Sequence, residues 1–266
     1  PKRTKLTKIM NRYALKIEYD GTNYHGWQKQ KQCRTIQGEI ELAFSKFLGH
    51  PVNISGSGRT DTGVHALGQV AHVDLKKKWK PEEIQGALNY FLKNTLISIL
   101  KVSTVDESFH SRFSAKSRIY EYKILVRRAP LTLQKNRYWH LNRNQDISRM
   151  EDGAKHLIGT HDFTTFRSSI CQANSPIKTI DSILFKEKYL PSGKLIVIEC
   201  KARSFLHNQV RSIVGSLEKV GSRKWKAEHI KFILESKDRK QCGSVAPPEG
   251  LYLKNISFDN RIFEKN

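Results

Sequence analysis

The stretch SGSGRTDTGVHALGQVAHVD, residues 55–74, sets one carboxylate, Asp61, in an unusual frame. Gly56 and Gly58 precede it, Gly63 follows it, and Arg59 and Thr60 stand beside it. Two phosphate-binding templates fail here. A P-loop requires Gly, four residues, then Gly-Lys-Ser/Thr, because the lysine holds the β- and γ-phosphates. Gly58 and Gly63 have that spacing, but Val64 replaces the lysine. The dinucleotide pattern G-x-G-x-x-G begins at Gly56 and Gly58 and ends on Asp61, where a carboxylate would repel a pyrophosphate. Glycine's other uses remain: reaching φ > 0 and letting another group approach the backbone.

A single aspartate on a shaped turn has two readings. It bonds its own backbone, as aspartates in turns often do, or it acts on a substrate. Toward a nucleoside, a carboxylate attacks the anomeric carbon or stabilises positive charge there. Net hydrolysis usually needs a second carboxyl group as general acid, and none is paired with Asp61 in this stretch. A rearrangement that keeps the base in place fits one carboxylate better. His65 and Gln69 add polar groups beside the loop, and His65 is counted among the substrate-facing residues. A structural histidine and a solvent-facing glutamine are the plain alternatives.

The elements that must position this loop follow from periodicity. Residues 13–19 alternate as a strand, and Thr35 caps a helix from Ile36 to Leu48 that Pro51 breaks. Val52–Ser57 enters the loop as a strand and Gln69–Leu75 leaves it as another. Pro81, Glu82 and Glu83 open a helix to Leu92, and 97–105 is a strand. In the second half, strands are expected at 118–126, 178–189, 194–201 and 251–258. Helices are expected at about 148–158, 207–220 and 227–235. The order β-α-β-β-α-β occurs twice. The expected fold is α+β: two ferredoxin-like halves, 10–108 and 109–266, with antiparallel sheets side by side and a catalytic cleft between them.

Composition points to the partner. There are 47 Lys+Arg against 25 Asp+Glu, a formal charge of +22, which suits a polyanion. Residues 116–143 hold eight Lys/Arg against Glu121 alone, interleaved with Tyr120, Tyr122, Tyr138 and Trp139. Cations beside rings suit RNA better than a membrane; a solvated basic strand is the alternative. Cys33, Cys171, Cys200 and Cys242 are scattered without a C-x-x-C, so neither a zinc site nor a disulfide framework is expected, and a reducing cytoplasm is. No apolar run reaches membrane-span length. Met10 reads as a natural start, with the basic residues before it an extension.

These segments resemble the TruA family of tRNA pseudouridine synthases. The loop is similar to that family's GRTD-x-GVHA signature. The likeness continues through IEYDGTNYHGWQKQ (17–30), TIQGEIELA (35–43), FHSRFSAKSRIYEYKI (109–124), HDFTTFRSS (161–169), FLHNQVRSIVGSL (205–217) and EGLYL (249–253). The resemblance implies a tRNA-modifying isomerase, an intramolecular transferase, that converts uridine to pseudouridine at positions 38, 39 and 40 of the anticodon stem-loop. It also implies base flipping, no metal or organic cofactor, a homodimer and no membrane. Asp61 matches the catalytic aspartate and Arg211 the arginine that pairs with it. Tyr120 matches the tyrosine that stacks on the target uracil; a core tyrosine is the alternative. Arg59 resembles the residue that helps displace the base, or else contacts phosphate. Phe109, His110, Ser111, Arg112 and Phe113, and Ile170, Cys171, Gln172, Ala173 and Asn174, match tRNA-contacting stretches. The rival readings are a non-catalytic RNA-binding module, a nucleoside hydrolase or RNA glycosylase, and a relative acting at other RNA sites.

Overall fold

Alternating apolar side chains make Asn11–Tyr19 a strand, β1, with Tyr13, Leu15 and Ile17 fully buried on one face. The computed structural model describes residues 10–259 and 261–263; the extension ahead of Met10 lies outside the described residues. The chain is mixed α+β, with a mostly antiparallel sheet and five α-helices among the described residues. Two compact units divide it.

The first unit takes the residues up to Thr62, Ala66–Lys116 and the residues from Ile256 on. After β1 come α1 (Ile36–Leu48), β2 (Ile54–Gly56), β3 (His65–Leu75), α2 (Pro81–Leu92) and β4 (Ile97–Val105). The strands run β4-β1-β3 with β2 on the far side of β3, all antiparallel. Thr35 caps α1 by accepting the Gly38 N–H at 3.3 Å. Gly49 ends α1, two residues before Pro51. At the start of α2, the Glu83 carboxylate accepts the Lys80 N–H at 2.9 Å. Ile36, Ile40 and Phe44 of α1 and Ile84 and Leu88 of α2 are fully buried with the apolar face of β1. β3 begins at His65, four residues before the expected Gln69, because its ladder with β1 continues to Tyr19↔Ala66. The entering strand is shorter than expected, three residues paired as Ile54↔Val73 to Gly56↔Ala71.

The second unit takes Gly63–His65 and Ser117–Asn255. Its elements are β5 (Ala115–Val126), β6 (Trp139–Leu141), α3 (Ile147–Lys155), β7 (Gly159–Asp162), β8 (Ile177–Leu190), β9 (Gly193–Ala202), α4 (Gln209–Gly221), α5 (Glu228–Ser236) and β10 (Leu251–Phe258). Strands run β10-β5-β9-β8-β7, and β6 lies parallel on β5. Val210, Ile213, Val214, Leu217 and Val220 of α4 are buried. β6 and β7 were not expected from the sequence; each is three or four residues long and exists through pairing. α3 stops at Lys155 rather than near Ile158, because His156 and Leu157 donate to carbonyls three residues back in a tightened last turn. Tyr122, read as a ring available to bases, is fully buried and donates its hydroxyl to the Pro247 carbonyl at 2.7 Å. It belongs to the core.

Candidate active site

The Asp61 loop leaves β2 and returns on β3, and its backbone is braced from several sides. Gln69, the last residue of the A-L-G-Q run after His65, is fully buried rather than facing solvent. Its amide donates to the Gly58 carbonyl at 2.8 Å, and its Oε1 accepts from Gly58 N at 3.3 Å and Val70 N at 3.1 Å. The Ser57 N–H donates to the Val70 carbonyl at 2.8 Å. Thr60 is buried; its hydroxyl shares a 2.8 Å hydrogen bond with the Tyr19 hydroxyl. Its carbonyl accepts the Trp27 N–H at 3.0 Å.

Two glycines make this bracing possible. Gly26 has φ +80, and a Cβ there would lie 2.5 Å from the Thr60 carbonyl oxygen. A Cβ on Gly56 would lie 2.5 Å from the Trp27 indole nitrogen, because the buried indole packs flat on that backbone. Residues 17–30 thus form the wall behind the loop. Asp61 itself is half-buried and its neighbour Arg59 is exposed. The sequence did not mark Tyr19, Gly26 and Trp27 as supports; their signals were the end of the first strand, the turn-rich DGTNYHGW run after it and the family likeness of residues 17–30.

The second unit carries the other residues singled out. Tyr120 lies on β5 opposite Cys200, 8% exposed, edge-on to Phe205 at 5.3 Å between centroids. Arg211 is in the first turn of α4. Its Nε donates to the Ala246 carbonyl at 2.8 Å and its Nη1 to Asn208 Oδ1 at 3.0 Å. The Ala246 N–H returns to the Arg211 carbonyl at 3.1 Å. Two acceptors in a fixed fork hold the guanidinium in one orientation. His65 is buried and stacks on Tyr252 at 4.6 Å, so its ring is part of the packing that ends the loop.

The two segments matched to RNA contact differ in character. In the first unit, Arg112 and Phe113 are exposed, Phe109 and His110 are half-buried, and Ser111 is fully buried. In the second, Ile170, Gln172 and Asn174 are exposed, and Cys171 and Ala173 are half-buried. That segment follows Ser168, whose N–H donates to the His207 carbonyl at 2.9 Å just ahead of α4.

A family model described as tRNA pseudouridine synthase matches residues 16–114 and 154–259. The chain belongs to the tRNA pseudouridine synthase family. The tRNA pseudouridine synthase A of Jannaschia sp. (strain CCS1) is 49% identical over 254 residues, covering 96% of this chain and 97% of that protein. Its counterpart in Ruegeria sp. (strain TM1040) is 48% identical over 257 residues, covering 97% and 99%. That of Sinorhizobium fredii (strain NBRC 101917 / NGR234) is 49% identical over 251 residues, covering 94% and 100%. As a tRNA pseudouridine synthase, the chain is an isomerase that converts uridine to pseudouridine in tRNA. The family match spans Asp61, Arg211 and both candidate contact segments; Tyr120 falls between its two stretches.

Proposed function

We propose that this chain isomerises uridine at positions 38, 39 and 40 of the tRNA anticodon stem-loop, with Asp61 as the catalytic carboxylate. The observation that carries this reading is the mount of Asp61. The chain leading into the residue is pinned at Gly58 and Thr60 by hydrogen bonds to Gln69 and Tyr19, while the residue itself stays half-exposed. A group that need only satisfy its own backbone would not require Gly26, Trp27, Tyr19 and Gln69 around it.

The target base must leave the stack before its C1′ is reached, at a cost on the order of a few kcal/mol. Arg59, exposed beside the loop, helps displace it, and Tyr120 stacks on the uracil. Asp61 then acts on the ribose, either at C1′ or by taking the C2′ proton. The C1′–N1 bond breaks, the uracil turns, and C5 bonds to C1′. The C5 hydrogen is lost to solvent and N1 gains a proton, so the product is an isomer of the substrate. Arg211 pairs with the carboxylate and aligns it. Phe109–Phe113 and Ile170–Asn174 contact the RNA, with Arg112 and Phe113 the exposed members of the first. Ser111 contributes from beneath, since its hydroxyl is already used.

Two ferredoxin-like halves, 10–108 and 109–266, would underlie this. Strand orders β4-β1-β3-β2 and β10-β5-β9-β8, each with two helical connections, support that description. The enzyme works as a cytoplasmic homodimer; among the described residues no helix is long and apolar enough to cross a membrane.

The test uses tRNA tritiated at uridine C5. Wild-type protein releases the label at the mapped sites. Asp61→Asn lowers release by about 10³-fold or more while tRNA binding survives. Substantial turnover in that variant overturns the role of Asp61. Free uracil among the products would mark a glycosylase, and binding without release a non-catalytic module.

A further inference from the structure

The segment between β4 and β5 carries Arg112 and Phe113 near its end, with Phe113 72% exposed. Connections of this kind are ordinarily mobile, but the inner side of this one is clamped. The Ser111 hydroxyl donates to the Ser55 carbonyl of β2 at 2.7 Å. It also lies 2.9 Å from His72 Nδ1 on β3, and the Ser111 N–H lies 3.3 Å from the same nitrogen. His72 is buried, and burial first, then Arg12 and His110, pushes its pKa down to about 4. The imidazole is therefore neutral at physiological pH and holds Ser111 as a hydrogen-bonding partner rather than as a charge.

The clamp continues outward from there. His110 packs edge-on to His72 at 4.6 Å, and its Nδ1 accepts the N–H groups of Arg112 at 3.1 Å and Phe113 at 3.4 Å. On the other side Arg12, paired with Asp74, donates to the carbonyls of Glu107 and Phe109 at 2.6 and 2.7 Å. Ser55 sits opposite His72 in the β2–β3 register, and Gln69, which braces Gly58, lies three residues before His72. One strand pair thus carries both the Asp61 loop and the anchor of the exposed pair.

We propose that His72 is a positioning residue for RNA binding: by fixing Ser111 it holds Arg112 and Phe113 in the orientation that meets the tRNA. The inference rests on the reading that residues 109–113 contact tRNA, and the experiment separates the two. tRNA affinity and the single-turnover rate at saturating tRNA are measured for each variant. Arg112→Ala with Phe113→Ala weakens affinity about tenfold or more. His72→Phe weakens it to a similar degree, with the saturated rate within about threefold of wild type. His72→Asn, whose amide reaches where Nδ1 lies, retains affinity within about threefold. Adding His72→Phe to the surface pair brings no further loss, because both changes act through the same contacts. Unchanged affinity in the surface pair would overturn the RNA-contact reading, and this inference with it. A weakened surface pair alongside wild-type affinity in His72→Phe, or losses that multiply, would overturn the positioning role alone. Should His72→Phe fail to fold, Ser111→Ala removes the clamping hydroxyl and is expected to weaken affinity in the same way; wild-type affinity there rejects the proposal.

Discussion

At the residue scale, the glycines around Asp61 act on catalysis without offering any chemical group. Gly56 lies under the Trp27 indole with no room for a methyl group, since the three nearest atoms all belong to a buried ring. Gly56→Ala must push either the indole or β2, and the Asp61 loop follows directly from β2. Overpacking of this kind costs about 1–3 kcal/mol. The expected outcome is a protein that still folds, with a melting temperature lowered by several degrees and label release reduced about tenfold or more. Thermal melts and the tritium assay on the same preparation check it; wild-type turnover would show that the loop tolerates displacement. The contrast with Arg59 is instructive. That side chain is exposed beside the same aspartate and meets no such wall, so its substitution bears on substrate rather than on the mount.

At the scale of elements, β3 does the most positioning. It carries Gln69 under the catalytic loop and His72 under the RNA-facing segment, both buried polar groups with partners. Burying His72 has a pH consequence. Its folded pKa, about 4, lies below the ordinary value near 6.5. His110 is shifted down as well, by burial first and then by Arg12 and Arg112. Between those values the unfolded chain binds more protons than the folded one, so stability rises with pH there. The stabilisation is complete near neutrality and is lost as pH falls from about 6.5 toward 4, by on the order of 2 kcal/mol. Asp74, held below its usual carboxylate range by the Arg12 hydrogen bond, adds a loss that begins only at lower pH. Melts from pH 7 to 4.5 should fall steeply for wild type and more gently for His72→Asn. Equal slopes would mean that His72 titrates normally.

At the scale of the whole molecule, the charge of +22 sets how the protein meets RNA. Contacts with phosphates release counterions, so affinity for tRNA should fall linearly on a log–log plot against salt. With about six contacts or more, the loss between 50 and 200 mM salt is on the order of 10³-fold. Filter binding across that range measures it. A flat response would place recognition in stacking and base contacts and leave the basic excess without this role. The same titration on the Arg112→Ala variant should reduce the slope by about one contact.

What the sequence by itself determined was local or compositional. α1 and α2 were readable to the residue because Thr35 and Pro81 mark their starts, and an apolar stripe at helical spacing carries each one inward. β4 and β10 were equally plain from alternation. The motif around Asp61, the basic charge and the likeness to a family were visible without coordinates. Only the tertiary structure decided which polar groups are buried and what they hold. Gln69, for which facing solvent was the plain alternative, braces Gly58; Tyr122, counted among the rings beside the basic residues, packs in the core. β6 and β7 form because a longer strand is there to pair with them. The physical reason is common to all of these. Helix caps and strand alternation depend on residues a few positions apart, whereas burial depends on which distant strands pair. Ser55, His72 and Ser111 meet from three separate stretches of chain, and no local pattern records that meeting.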